Sequence, residues 1–146
     1  MISRDFIGHV LPVSVLDVER GRLKFFAKAI GETNPLYFDE AVARAEGHPD
    51  LPAPPTFLFS ADLDSGGLEY MLQLLKVDLG RVLHGEQEFS YRRMVYAGER
   101  ITVRSTIADI YDKKNGALEF VVKQSQALDQ NQDVVAELRC VVVIRN

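Results

Sequence analysis

The chain lacks most of the chemistry that marks a metal enzyme, a disulfide scaffold or a nucleic-acid binder. It has one cysteine, so no disulfide can form within it. That residue, Cys140, lies in the apolar run Cys140-Val141-Val142-Val143-Ile144, where a buried core thiol is the expected state and a reactive one the exception. The three histidines, His9, His48 and His84, are scattered without metal-ligand spacing, and no metal or other cofactor is expected. A formal net charge of −4 leaves no basic excess to neutralise phosphates, so nucleic acid is not the expected partner. There is no Gly-rich phosphate loop, and Gly66-Gly67 reads instead as a helix break. No stretch approaches the ~18 apolar residues of a membrane span, and Met1-Ile2-Ser3-Arg4-Asp5 has no basic start or apolar core of a signal peptide. The cytoplasm is the expected compartment. No internal repeat or low-complexity segment appears.

What remains is ordinary globular composition: 146 residues, 47% hydrophobic and 26% charged. That length suits a single domain, 1–146, with one good core. The first half reads as helices. His9 to Val15 is β-branched but carries Pro12, which suits an edge strand or an extended entry. Asp17 and Glu19 are placed to cap and charge the start of a helix. Leu23, Phe26, Ala27 and Ile30 then recur at i, i+3, i+4 and i+7, giving it one apolar face. Gly31 can end this helix in the left-handed conformation, and Pro35 keeps Asn34 out of helical geometry. A second helix is expected from Leu36 to Ala45.

Pro49, Pro52, Pro54 and Pro55 fall within seven residues and predict a stiff, extended crossing. Thr56 can cap the helix that follows, Phe57 to Leu63, which is apolar nearly all round and therefore buried. Leu68, Met71, Leu72 and Leu75 repeat at helical spacing up to about Asp78. From Val82 to the end the period is alternating, with hairpin signals at Asn115-Gly116 and Asp129-Gln130-Asn131-Gln132 and a turn at Ala97-Gly98-Glu99. Helices followed by a run of antiparallel strands imply an α+β layer fold, a curved antiparallel sheet packed on a buried apolar helix. Exposed strand edges in such a sheet imply assembly into a dimer or higher oligomer.

The heptapeptide Gly31-Glu32-Thr33-Asn34-Pro35-Leu36-Tyr37 sits at the bend between the first two helices. It resembles the hydratase-2 motif of the MaoC-like family, whose usual form is Gly-Asp-x-Asn-Pro-Leu/Ile-His. Pro54-Pro55-Thr56-Phe57, His84-Gly85-Glu86-Gln87-Glu88-Phe89 and Ala97-Gly98-Glu99 resemble the N-terminal, FAS1-like dehydratase branch of the same family, so the likeness spans nearly the whole chain. The resemblance implies a hot-dog fold and interconversion of trans-2-enoyl and (R)-3-hydroxyacyl thioesters on coenzyme A or acyl carrier protein. It implies edge-to-edge pairing with a second hot dog, either a like copy or a catalytic MaoC-like subunit. It places the catalytic pair on Glu32 and Tyr37, where the family has Asp and His, and substrate contacts on Asn34, Pro55, Thr56, Phe57, His84 and Gly85.

Both chemical positions are therefore substituted. Glu32 is one methylene longer than Asp, and a shift near 1 Å in catalytic geometry can cost about 100-fold. A phenol with a pKa of about 10 is a poor base beside an imidazole at about 6.5. Three readings stay open: a subunit that supports acyl binding beside a catalytic partner, a non-catalytic thioester-binding scaffold, and an autonomous slow hydratase or thioesterase. For the thioesterase, Asp62 or Asp64 on the apolar helix would carry the chemistry. The bland alternative for the loop is a solvated Glu32, a packed Tyr37 and a structural His84.

Overall fold

The structure is a computed structural model that describes every residue, Met1–Asn146. Five strands form one antiparallel sheet in the order β1-β3-β4-β5-β2, where β1 is Ser14–Asp17, β2 Val82–Tyr91, β3 Arg100–Lys113, β4 Leu118–Leu128 and β5 Val134–Arg145. The predicted turns join them. Lys114, Asn115 and Gly116 all take positive φ between β3 and β4. At the β4–β5 turn the Asp129 carboxylate accepts the N–H groups of Asn131 and Asp133 at 2.9 and 3.0 Å, an Asx-type local bond that fixes the reversal. Register slips at His84/Glu86 and Ile107/Asp109 curl the sheet, because an extra residue on one strand bends it and increases its twist.

Four helices pack on one face: α1 Arg20–Ala29, α2 Glu40–Ala45, α3 Ser60–Asp64 and α4 Gly67–Leu75. Gly66 sits at φ +75 between α3 and α4, so the glycine pair interrupts one helical path as the sequence implies. Phe57, Leu58 and Ala61 fill one apolar cluster with Leu23, Ile101, Val103 and Ala136. Met71 and Leu75 fill a second with Ile107, Val121, Val142 and Ile144. Polar side chains also lie on this inner face. The Ser105 and Ser125 hydroxyls bond at 2.7 Å, Ser65 donates to Ser14 Oγ at 2.7 Å, and Asp62 on α3 pairs with the buried Lys123 on β4.

Several boundaries differ from the sequence expectation, each for a local reason. Asp17 ends β1 and caps nothing; Glu19 occupies the cap position of α1 without a side-chain bond. The helix expected from Leu36 to Ala45 is two pieces. Asn34 Oδ1 takes the Leu36 N–H and starts a 3-10 turn over Pro35–Tyr37, and Asp39 then takes the Ala41 and Val42 N–H groups to begin α2. Composition could not show that a second capping residue divides the run. Thr56 precedes a 3-10 turn over Phe57–Phe59 and makes no side-chain cap: its ψ of 0 is not the extended geometry a cap needs, and the Phe59 N–H goes to the Thr56 carbonyl at 3.2 Å. Helix α4 stops at Leu75, earlier than Asp78, where Lys76 adopts a left-handed conformation.

Candidate functional site

The Gly31–Tyr37 loop is built by the end of α1. Glu32 donates its N–H to the Ala27 carbonyl at 2.9 Å and Gly31 to Lys28 at 3.2 Å, which closes the helix around a left-handed glycine at φ +76. The Glu32 carboxylate turns back on the loop: its Oε1 accepts the Thr33 and Asn34 N–H groups at 2.8 and 2.9 Å. Asn34 in turn spends its side-chain oxygen on the Leu36 N–H at 3.0 Å. Leu36 is buried and pins the loop, while the half-buried Tyr37 ring packs on the first apolar cluster. Burial, and secondarily the Glu32 charge, push the Tyr37 phenol above its ordinary value of 10.0. The two side chains are thus electrostatic neighbours, and Tyr37 is held neutral. Such a pair can donate a hydrogen bond and orient a water but has no ready base at the second position.

The Pro-rich crossing runs beside the same cluster. Ala53 donates to the Val95 carbonyl at 2.8 Å and Ala97 to Leu51 at 2.9 Å, so the crossing is stapled to the segment before β3. Leu51, Pro52, Ala53 and Pro54 are buried, whereas Pro55 and Thr56 are exposed. Tyr91 on β2 donates its hydroxyl to the Pro55 carbonyl at 2.6 Å. Phe57 is 1% exposed and meets Phe26 edge-on at 5.4 Å. The expected residues therefore divide. Phe57 belongs to one apolar cluster and Tyr37 packs against it, with the Glu32 charge acting on the Tyr37 phenol, and Tyr91, packed on the same cluster, holds the Pro55 carbonyl.

His84 and Gly85 lie elsewhere, in the bulge at the start of β2. The exposed His84 ring meets Phe59 edge-on at 5.2 Å. A Cβ on Gly85 would stand 2.7 Å from Val143 Cγ2 and 2.9 Å from the Val141 carbonyl, so this glycine is required by the close approach of β5. The carboxylates weighed for a thioesterase are both engaged. Asp64 binds Arg22 at 2.6 Å, and Asp62 is neutralised by Lys123. Burial lowers the Lys123 pKa, with the neighbouring Cys140 acting in the opposite sense. Sequence reasoning missed Lys123 as Asp62's partner. The available signal was a charged residue on the same face of its strand as Val121 and Ser125.

A curled antiparallel sheet closed on an interrupted apolar helix, with a Gly-Glu-x-Asn-Pro loop at its rim, defines the MaoC-like hot-dog class. Residues 5–138 match the family described as FAS1-like, dehydratase domain region, and the chain belongs to that family. A UPF0336 protein of Parafrankia sp. is 39% identical over 145 residues, covering 99% of this chain and 95% of that one. A UPF0336 protein of Streptomyces coelicolor is 46% identical over 99 residues, covering 68% of this chain and 66% of that one. Among solved structures, the C-terminally truncated HadBC complex of Mycobacterium tuberculosis, described as a 3R-hydroxyacyl-ACP dehydratase, superposes with a TM-score of 0.79 at 25% identity, covering 95% of this chain and 97% of that one. No helix of the chain is long and apolar enough to cross a membrane.

Proposed function

We propose that the chain is a supporting subunit of an (R)-specific enoyl-thioester hydratase, equally a 3-hydroxyacyl-thioester dehydratase, acting as one domain in the cytoplasm beside a catalytic MaoC-like hot dog. Its substrate is an acyl thioester on coenzyme A or acyl carrier protein. The observation that carries the reading is the state of the loop: the Glu32 Oε1 is spent on its own backbone, and Tyr37 supplies a neutral phenol where a base is needed. Asn34, Pro55, Thr56, Phe57, His84 and Gly85 then serve to shape the groove rather than to transfer protons. The partner would carry the intact Gly-Asp-x-Asn-Pro-x-His sequence, encoded in a neighbouring reading frame.

The test is crotonyl-CoA hydration by the purified chain, by the partner, and by the two co-expressed. The expected result is negligible turnover from this chain alone and turnover from the pair that disappears when the partner's aspartate is changed to asparagine. Fast hydration by this chain alone, lost on Glu32→Gln, would overturn the proposal in favour of an autonomous hydratase.

A further inference from the structure

We propose that Gln87, on the inner face of β2, binds the pantetheine arm of the acyl thioester by accepting an amide N–H at its side-chain oxygen. The proposal rests on the thioester reading above and names the part of the substrate that this chain recognises.

Two side-chain nitrogen or oxygen atoms are buried without a hydrogen-bond partner, His9 Nε2 and Gln87 Oε1. His9 stands beside β3, where its carbonyl takes the Ile107 N–H at 3.0 Å, and β4 and β5 separate that strand from β2. Gln87 is brought inside by the build of its own strand. Strict alternation would set residues 84 and 87 on opposite faces of β2. The register slip between His84 and Glu86 adds Gly85, so His84 stands opposite Val142 and Gln87 opposite Cys140, successive positions on the face that carries the second apolar cluster. Phe59 meets His84 edge-on at 5.2 Å, which sets the 3-10 turn before α3 over this end of β2. Gln87 therefore lies along the seam between that turn and the last strand of the sheet.

No donor of the chain meets its oxygen there. Lys123 faces Cys140 from β4 in the same row, but its ammonium is committed to Asp62. The Gln87 amide is also loosely held: its one bond, from Nε2 to the Glu88 carbonyl, is 3.4 Å long, beyond the usual range. It is free to turn.

A buried acceptor left unpaired is costly, and native structures pair nearly all of them. Coenzyme A and acyl carrier protein present the same slim arm of amide groups, whose N–H is a neutral donor that can enter such a seam without burying a charge. The side-chain amide can return its own N–H to the arm's carbonyl. Both halves of a peptide-like pair are then satisfied.

Calorimetric titration tests this on the chain alone and on the chain co-expressed with its partner, using saturated thioesters that escape hydration. The probes are butyryl-pantetheine and S-pentyl thiobutyrate, which has no amide. Gln87→Met keeps the length and removes the acceptor. It should weaken butyryl-pantetheine at least about fivefold, leave S-pentyl thiobutyrate unchanged, and hold or raise the Tm, since the unpaired atom is gone. Butyryl-coenzyme A and butyryl-acyl carrier protein should lose the same factor, and their wild-type affinities show which carrier the site takes. Equal weakening of the two probes, a lower Tm or a variant that does not fold would assign Gln87 to packing or to a bond with the partner, and would overturn the proposal. Failure of either assembly to bind butyryl-pantetheine would do the same. The supporting-subunit reading fails separately, on fast hydration by the chain alone, whatever the Gln87 titrations give.

Discussion

Glu32 and Tyr37 concentrate the question of function in two side chains. If their substitution is what silences the loop, Glu32→Asp with Tyr37→His should raise crotonyl-CoA hydration by the chain alone by about 10²–10⁴-fold, the usual contribution of general acid–base groups. Each single change should do little, because both groups act on one water. A double variant no faster than wild type would show that the groove, and not the pair, is deficient. Asp50 carries a second residue-scale prediction. Arg20, through its Nε at 2.9 Å and its other guanidinium contact, holds the Asp50 carboxyl down to about 2 from 3.8, with the Leu51 N–H assisting. The unfolded carboxylate takes its proton first as pH falls, so the stabilisation is complete above about 3.8 and is lost between there and about 2. Urea midpoints at stepped pH should show Asp50→Asn destabilised at neutral pH and flatter through that window; parallel curves would refute it. The loop was legible as a bend because Gly31, Asn34 and Pro35 act through backbone geometry that sequence states directly. That the Glu32 carboxylate folds back on Thr33 and Asn34 was not, since a side chain's choice between solvent and its own backbone leaves no mark in spacing.

Strand alternation is a strong signal, and β2 to β5 fall where the period changes at Val82. Helix ends were less legible. Asp39 divides the run after Pro35 because two short polar caps compete with helix continuation, and apolar spacing does not register that competition. The Asp62–Lys123 pair was hidden for another reason: pairing across α3 and β4 is a tertiary fact. Its energetics give a clear expectation. Removing one partner, as in Asp62→Ala, strands a buried cation and should cost about 3–5 kcal/mol, whereas Asp62→Leu with Lys123→Met should be near neutral or stabilising. Chemical denaturation of both variants checks it, and a double variant that loses as much stability as Asp62→Ala would refute the buried-pair account. At the bulge, Gly85→Ala should cost about 1–3 kcal/mol by overpacking against Val143 and the Val141 carbonyl, read as a lower denaturation midpoint.

At the scale of the molecule the sheet has one face closed by four helices and another left largely polar. The broad groove on that polar face, about 750 Å³, is lined by Glu88, Arg104, Gln124, Gln126, Glu137 and Arg139 and includes no residue of the Gly31–Tyr37 loop. On the function proposed above, a subunit whose broad groove is polar and whose loop lacks a base would gain its acyl site by apposition to its partner. Apposition has a thermodynamic signature. A partner that binds only the folded chain stabilises it by about 2.7 kcal/mol when present at 100 times its Kd. For a chain of this size that is roughly 2–4 °C per kcal/mol, or a rise in Tm of about 5–11 °C. The rise should follow partner concentration logarithmically. Scanning calorimetry with increasing partner reads the effect. A Tm unmoved by saturating partner would leave the chain without the heteromeric contact on which its proposed role depends.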